Sequence, residues 1–447
     1  MNKRQNLRWT LGLVSFLFIL GSPFTGGAQT GVTGGAQTVV TGGAQRGDIA
    51  PGFHPYITVQ EEYSNNIFLT KRDKVDDFIT LVYPGLRFYA LSEKNYGIDL
   101  DILAGYTYYA KNHDLSYFSP SGTLNAWYAM NQNLTFRVRD YAIRSDENRE
   151  SLYSAGAPSD QFVISTVRGQ KAIYNRNVVE PSVEYRFGKE DSLSILYRNN
   201  VYHNDNSQFE DSQENTINPR FTYWFDIRNG VSLDYFLTFG SYARSPDQVV
   251  QGARPRYTYR FDLKTSIFGE YYFERDHFKF PGVDYDVHNP SIGIEYRFSP
   301  TLTGTAQGGY FWSLPNQGSE ARGPTYTISL TETSPKTAYT LTFQGGYTED
   351  YFTAQNLGLT KYYRAYGTIL HQLTGKTAVR LTGSVERESF PSSDQKDWIW
   401  GIWGDVSYRL LKWLTVGMQV SYREDHSNID AADYSEYRGI IKVTATY

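Results

Sequence analysis

Cysteine is absent from this 447-residue sequence, and methionine occurs only three times. Without cysteine, neither disulfides nor thiolate metal centres can hold the fold, whatever the redox state of its compartment. The chain also lacks an apolar run of the ~18 or more residues that a membrane-crossing helix requires. Its mean hydropathy of −0.49 is that of a polar chain. Runs of Lys or Arg are missing and the net charge is −4, so the electrostatic footprint of a nucleic-acid partner is not there. No phosphate loop, zinc-ligand spacing or dinucleotide fingerprint occurs, and no cofactor is expected.

Aromatic residues are abundant. Phe, Trp and Tyr make up 16% of the chain, with 38 Tyr, alongside 39 Gly. Disordered chains are poor in such residues, so this one folds. At the start, Lys3, Arg4 and Arg8 precede the apolar run LGLVSFLFIL (11–20), and Gly26-Gly27-Ala28 supplies small residues for cleavage. This is the pattern of a secretory signal peptide, expected over 1–28. The pentapeptide TGGAQ follows at 25–29, 33–37 and 41–45, which makes Ala28, Ala36 and Ala44 equivalent cleavage candidates. Residues 29–52 are expected to form a flexible periplasmic tail, since Gly and Thr offer little to pack.

From Phe53 to Tyr447 the chain alternates. In PSIGIEYRF, Pro290, Ile292, Ile294, Tyr296 and Phe298 share one face, and Ser291, Gly293, Glu295 and Arg297 the other. In the last segment, Ile441, Val443, Ala445 and Tyr447 oppose Lys442, Thr444 and Thr446. Successive side chains of a strand point to opposite faces, so a period of two is the signature of β-structure. Nine short turns, at LSEKN, NQN, GKED, IRNG, DLKT, SPT, SPK, TGK and LLK, alternate with ten longer polar loops, giving twenty strands. Eighteen is the alternative, because 252–261 alternates weakly.

Short turns at one end, long loops at the other and an even strand count are the marks of an outer-membrane barrel. In lipid every backbone group must be paired, so a spanning sheet has to close. The expected fold is an all-β, transmembrane, antiparallel up-and-down barrel over 53–447, in the outer membrane of a Gram-negative bacterium. Its partners are then outer-membrane lipid and the barrel-assembly machinery, with no nucleic acid. The last strand must pair with the strand near Tyr56, and Ile441, Val443, Ala445 and Tyr447 form the expected assembly signal.

If the apolar face meets lipid, the polar face lines the lumen, because a basic residue at the bilayer midplane costs roughly 2–4 kcal/mol. The candidate lumen-lining set is Asp99, Asp101, Arg137, Arg139, Glu180, Glu184, Arg186, Arg198, Arg220, Trp224, Asp234, Glu270, Tyr272, Glu295, Arg297, Arg380, Trp403, Asp405, Arg409 and Arg423. Both signs are mixed, unlike a single-sign selectivity ring. Two readings stand open: an Arg/Glu lattice tying strands together, or a wetted conduit whose inward aromatics, among them Tyr109, Tyr202, Phe268 and Phe311, stack on sugar rings. The longest loop, 146–171, could fold inward as a constriction.

Catalytic signals are sparse. Asp276-His277 and Asp425-His426 could each activate water, but adjacent residues specify neither a nucleophile nor an oxyanion site. Asp284 and Asp286 are too few for a calcium site. No enzyme is expected, and no catalytic, cofactor or metal residues are assigned.

The stretches ITVQEEYSNNIFLTKRDKVDDFITLVYPGLRF (57–88) and DYDVHNPSIGIEYRFSPTLTGTAQGGYFW (284–312) resemble the family described as putative β-barrel porin 2. Members often accompany exopolysaccharide synthesis and export systems, so the resemblance implies an export pore for polysaccharide, with periplasmic polysaccharide-export components as partners. A general diffusion porin and an occluded structural or adhesive barrel are the other readings.

Overall fold

The computed structural model describes residues 51–91, 95–146, 172–279, 282–318, 320–349, 359–390 and 394–447. The expected signal peptide, all but the end of the 29–52 tail, and the 146–171 loop after Asp146 lie outside the described residues.

Each strand pairs antiparallel with the next in sequence, beginning with Gly52–Ser64 and Asp77–Leu91 and ending with Leu414–Ser427 and Tyr434–Thr446. The last strand then returns to the first in a register running from Tyr56 opposite Thr446 to Ser64 opposite Arg438. The sheet is therefore closed, with twenty crossings. Two crossings are interrupted. Tyr96–Leu103 and Tyr106–Tyr109 both pair with Asp77–Leu91 and form one crossing, broken at Ala104-Gly105. Tyr117–Phe118 and Ser121–Ala129 form the next. Gly105 is needed at the break: a Cβ there would stand 2.4 Å from the Ser119 carbonyl oxygen and 2.6 Å from the Tyr83 ring.

The expected short turns that lie wholly within the described residues, all but LSEKN, connect strands, and most close on one device. A side-chain oxygen accepts the N–H groups two and three residues ahead: Asn131 Oδ1 from Asn133 and Leu134, Asp226 Oδ1 from Arg228 and Asn229, and Asp262 Oδ1 from Lys264 and Thr265, at 2.7–2.8 Å. Ser299, Ser334 and Thr374 play the same part with hydroxyls. Asn, Asp, Ser and Thr serve because their short side chains mimic a backbone acceptor.

At the other end, the strands run further than alternation predicts. The loop expected over 244–253 is strand from Gln248 onward, and the one expected over 275–285 is strand to Phe278. Above the apolar band both faces are polar, so the ladder continues without a hydrophobic pattern to announce it. The weak 252–261 segment is the continuous strand Gln248–Arg260, which settles the count at twenty. Its weakness comes from Gly252 and Pro255. Proline cannot donate to a ladder, and pairing with Thr265–Phe278 skips Arg254 and Pro255. Equivalent gaps flank Pro181, Pro219 and Pro290.

The two faces differ chemically. One exposes large apolar side chains, including Ile195, Leu233, Ile292, Leu381, Ile402 and Val420. Two aromatic groups edge it. Tyr185, Phe187, Phe221 and Tyr223 stack near the short turns, and Trp400, Tyr422 and Tyr437 pack together toward the long loops. Amphipathic rings favour the two interfaces of a bilayer, and the apolar band lies between these groups.

Candidate functional site

The other face carries the charge. Hydrogen bonds there skip strands: Tyr56 on the first crossing donates to Asp101 on the third at 2.6 Å, and Arg256 reaches Glu295 two strands away at 2.5 Å. Chords of a closed sheet are shortest on its concave side, so this is the interior face.

Many residues in the sequence-derived set are found in ion pairs on this face. Arg87 forks onto Asp99 through Nε and Nη2, at 2.8 and 2.7 Å. Arg137 and Arg186 both donate to Glu184 at 2.6 Å. Arg198 donates to the buried Glu180 at 2.6 Å, and Arg139 stands opposite that same Glu180 in the register. Arg220 holds Asp234 at 2.6 Å, and Asn218 donates to the same carboxylate. Glu270 lies 3.6 Å from Arg254, and Tyr272 donates to Glu274. Arg380 stands opposite Asp405, Trp403 opposite Thr382, Arg409 opposite Thr415 and Arg297 opposite Thr303. Arg423 lies 5.8 Å from the centroid of the Tyr434 ring.

Several interior arginines fell outside that set. Arg87 and Arg364 belong to recognisable strands but are isolated among apolar or aromatic neighbours. Arg254, Arg256 and Arg260 were hidden because 244–253 reads as loop and the rest as a weak strand. RPRYTYR nonetheless has the period that places these three on one face.

Many interior aromatic faces expected to be open are occupied. Arg260 lies 3.4 Å from the Trp224 ring centroid, Arg256 3.5 Å from Phe268 and Arg254 4.9 Å from Tyr272. Phe311 packs against Tyr347 with centroids 4.6 Å apart. Tyr347 comes from the strand Thr337–Glu349, whose pairing with Ala321–Thr333 stops at Gly345 opposite Tyr326. Beside the closing seam, a cavity of about 290 Å³ is lined by Tyr56, Gln60, Tyr83, Tyr109 and Lys442, among others.

Depth sorts the charges. Toward the long loops, the described interior holds buried Glu62, Asp276, Glu388, Asp397, Asp425 and Glu436. The cations among them are fewer: Arg364 bonds the buried Glu386, Arg438 bonds Glu62 at 2.6 Å, the buried Arg176 donates to Asn200 at 3.3 Å, and Arg423 lies beside Tyr434. Toward the short turns, arginine prevails, with Arg87, Arg137, Arg186, Arg254, Arg256 and Arg260 on successive parts of the wall. Mixed sign in the sequence conceals this, because a linear list gives residue type without height.

The adjacent acid–histidine pairs do not form dyads. Asp276 is buried on the interior, while His277 points the other way and bonds Asp284 at 2.7 Å. Asp425 is likewise interior, and His426 lies 3.4 Å from Asp433. Asp284 also accepts the Phe278 N–H, and Asp286 is held by Arg275, so these two carboxylates do not converge.

Among solved structures, a mutant of the ferric enterobactin receptor of Pseudomonas aeruginosa, in complex with enterobactin, is similar with a TM-score of 0.50 and 9% identity. The similarity covers 89% of this chain and 82% of that one. The outer membrane protein OpdK of the same organism has a TM-score of 0.43 and 10% identity, covering 88% and 99%. The FrpB iron transporter of Neisseria meningitidis has 0.48 and 8%, covering 88% and 81%. No curated protein sequence matches the chain. The fold follows: this is a closed antiparallel barrel of the kind seen in Gram-negative outer-membrane proteins. The family described as putative beta-barrel porin 2 matches residues 244–447, a range that includes the second resembling stretch, 284–312, and not the first.

Proposed function

We propose that the barrel is a passive conduit across the outer membrane and that its solute is an exported polysaccharide. The observation that carries this reading is the interior face itself, charged and aromatic from the short turns to the long loops. Sugars have apolar faces and hydroxyl rims, which such a surface complements. Asp99, Asp101, Arg137, Arg186, Arg220 and the rest of the sequence-derived set are, in this reading, the wetted wall. Half-exposed pairs such as Arg220–Asp234 would exchange partners with solute and water at small cost, since exposed pairs contribute only about 0–1 kcal/mol.

The same reading assigns Ile441, Val443 and Tyr447, which are exposed, to the lipid side of the closing strand and to recognition by the assembly machinery. The periplasmic partners would be polysaccharide-export components at the short-turn mouth. Deletion of the gene, with and without complementation, tests the solute. Loss of surface polysaccharide that returns on complementation is expected. Unchanged polysaccharide, with uptake of small sugars reduced, would instead favour a general diffusion porin.

A further inference from the structure

Three arginines occupy one strand of the interior wall. Within Gln248–Arg260, the side chains of Arg254, Arg256 and Arg260 share the concave face, rising from Arg260 beside the short turn 261–264. Alternate residues along a strand are about 6.6–6.8 Å apart, so Arg254 and Arg256 are one such step apart and Arg260 follows two steps on, past Thr258, in one line up the wall. Each one is backed by an aromatic ring, from Trp224, Phe268 and Tyr272 respectively for Arg260, Arg256 and Arg254. A guanidinium stacked on a ring keeps its hydrogen-bonding edge free to face a planar anion.

Each arginine also meets a carboxylate from a different strand or turn. Arg260 forks onto Glu190 at 3.1 and 2.5 Å, Arg256 donates to Glu295 at 2.5 Å, and Arg254 lies 3.6 Å from Glu270. One member of each pair has about half of its side-chain surface exposed, Glu190 at 52%, Glu295 at 46% and Arg254 at 50%, and the other is more covered, Arg260 at 33%, Arg256 at 27% and Glu270 at 12%. Glu190 and Glu295 are therefore exchangeable: an incoming carboxylate can replace either at little net cost while the ring holds the arginine in place, and the half-exposed Arg254 can accept one beside Glu270. One carboxylate would gain little by such a swap. Several on one chain gain much, because after the first contact the others bind at high effective concentration.

We infer that this strand is a binding track for an acidic polysaccharide, one whose repeat carries a carboxylate, threading from the short-turn mouth. The buried carboxylates toward the long loops then disfavour holding the same polymer there, so the interior grips at its entrance and loosens toward its exit. The direction of threading rests on the conduit reading; the binding does not.

The test is calorimetric titration of the full-length, detergent-solubilised barrel with oligogalacturonate, and with maltodextrin of matched length. Oligogalacturonate binds, more weakly as salt rises, and the maltodextrin does not. The combined R254Q, R256Q and R260Q variant weakens that binding by about tenfold or more, as expected when a multivalent contact is dismantled. Lysine at the same three positions restores part of it, since charge returns without the planar fork. If the triple variant fails to fold, R254Q alone, at the longest of the three pairs, is expected to weaken binding about threefold. Equal affinity for the neutral oligomer, no binding of oligogalacturonate, or glutamine variants with unchanged affinity would overturn the inference. Charge-selective binding by a protein that conducts nothing in bilayers would leave the track standing and remove only the conduit reading.

Discussion

Arg438 donates through Nη2 to Glu62 at 2.6 Å, although 376 positions separate them in the chain. The pair bridges the last strand and the first, where Ser64 also donates to Glu436 at 2.5 Å. Glu62 is buried, so removing Arg438 leaves a carboxylate facing a seam without its cation. Breaking a buried ion pair from one side costs about 3–5 kcal/mol. Arg438→Ala should therefore lower the urea midpoint of the folded barrel in detergent, and Glu62→Gln in the same background should recover part of the loss. An unchanged midpoint in Arg438→Ala would mean that the seam does not depend on this pair.

Arg364 and Glu386 form a second buried pair, at 2.9 Å through Nε and 2.5 Å through Nη2. Arg364→Leu alone should destabilise by about 3–5 kcal/mol, and the double leucine variant by less, because Glu386 is no longer left buried without its cation. A double-mutant cycle on unfolding free energy measures this, with strictly additive effects as the contrary result.

Val420 and Gln419 are adjacent but face opposite sides. Val420 is 52% exposed on the apolar face, whereas Gln419 stands opposite Asp405 on the interior. Val420→Arg should cost roughly 2–4 kcal/mol if its height is near the bilayer midplane. Gln419→Arg places its cation beside a carboxylate and should cost little. Refolding into lipid vesicles measures both, and equal costs would contradict the assignment of faces.

The short-turn caps should respond to acid. Hydrogen bonds from the Asn229 side chain and then from the Arg228 and Asn229 N–H groups hold the Asp226 carboxyl below its usual range. The N–H groups of Lys264 and Thr265 do the same for Asp262. A depressed pKa in the folded state contributes stability that is complete above the unfolded value of about 3.9 and disappears as pH falls through the folded value. Replacing both with asparagine keeps an acceptor oxygen but removes the titration. The double variant should show a shallower loss of stability below about pH 4 than the parent, read from unfolding midpoints across the acid range. A parallel profile would place the acid sensitivity elsewhere.

The strands and short turns were legible because each carries a local signal: alternation in GIEYRF, or a capping side chain in DLKT. Closure was legible too, since a spanning sheet in lipid has no other option. Gln248–Arg260 was only half visible, as Pro255 and Gly252 break its rhythm while the backbone continues. The Asp276-His277 pair shows the converse limit: neighbours in sequence are on opposite faces of a strand. Height along the barrel was least accessible. It depends on register, so the acidic outer wall and the arginine-rich inner wall emerge only once Arg260 is seen beside a short turn and Asp276 near the end of its strand.

Planar-bilayer recording of the purified full-length protein tests the central claim most directly. A conduit gives discrete, reproducible conductance steps that vanish when the barrel is unfolded before addition. Folded protein, verified by its resistance to unfolding without heat, that inserts and yet gives no steps at any voltage would contradict it.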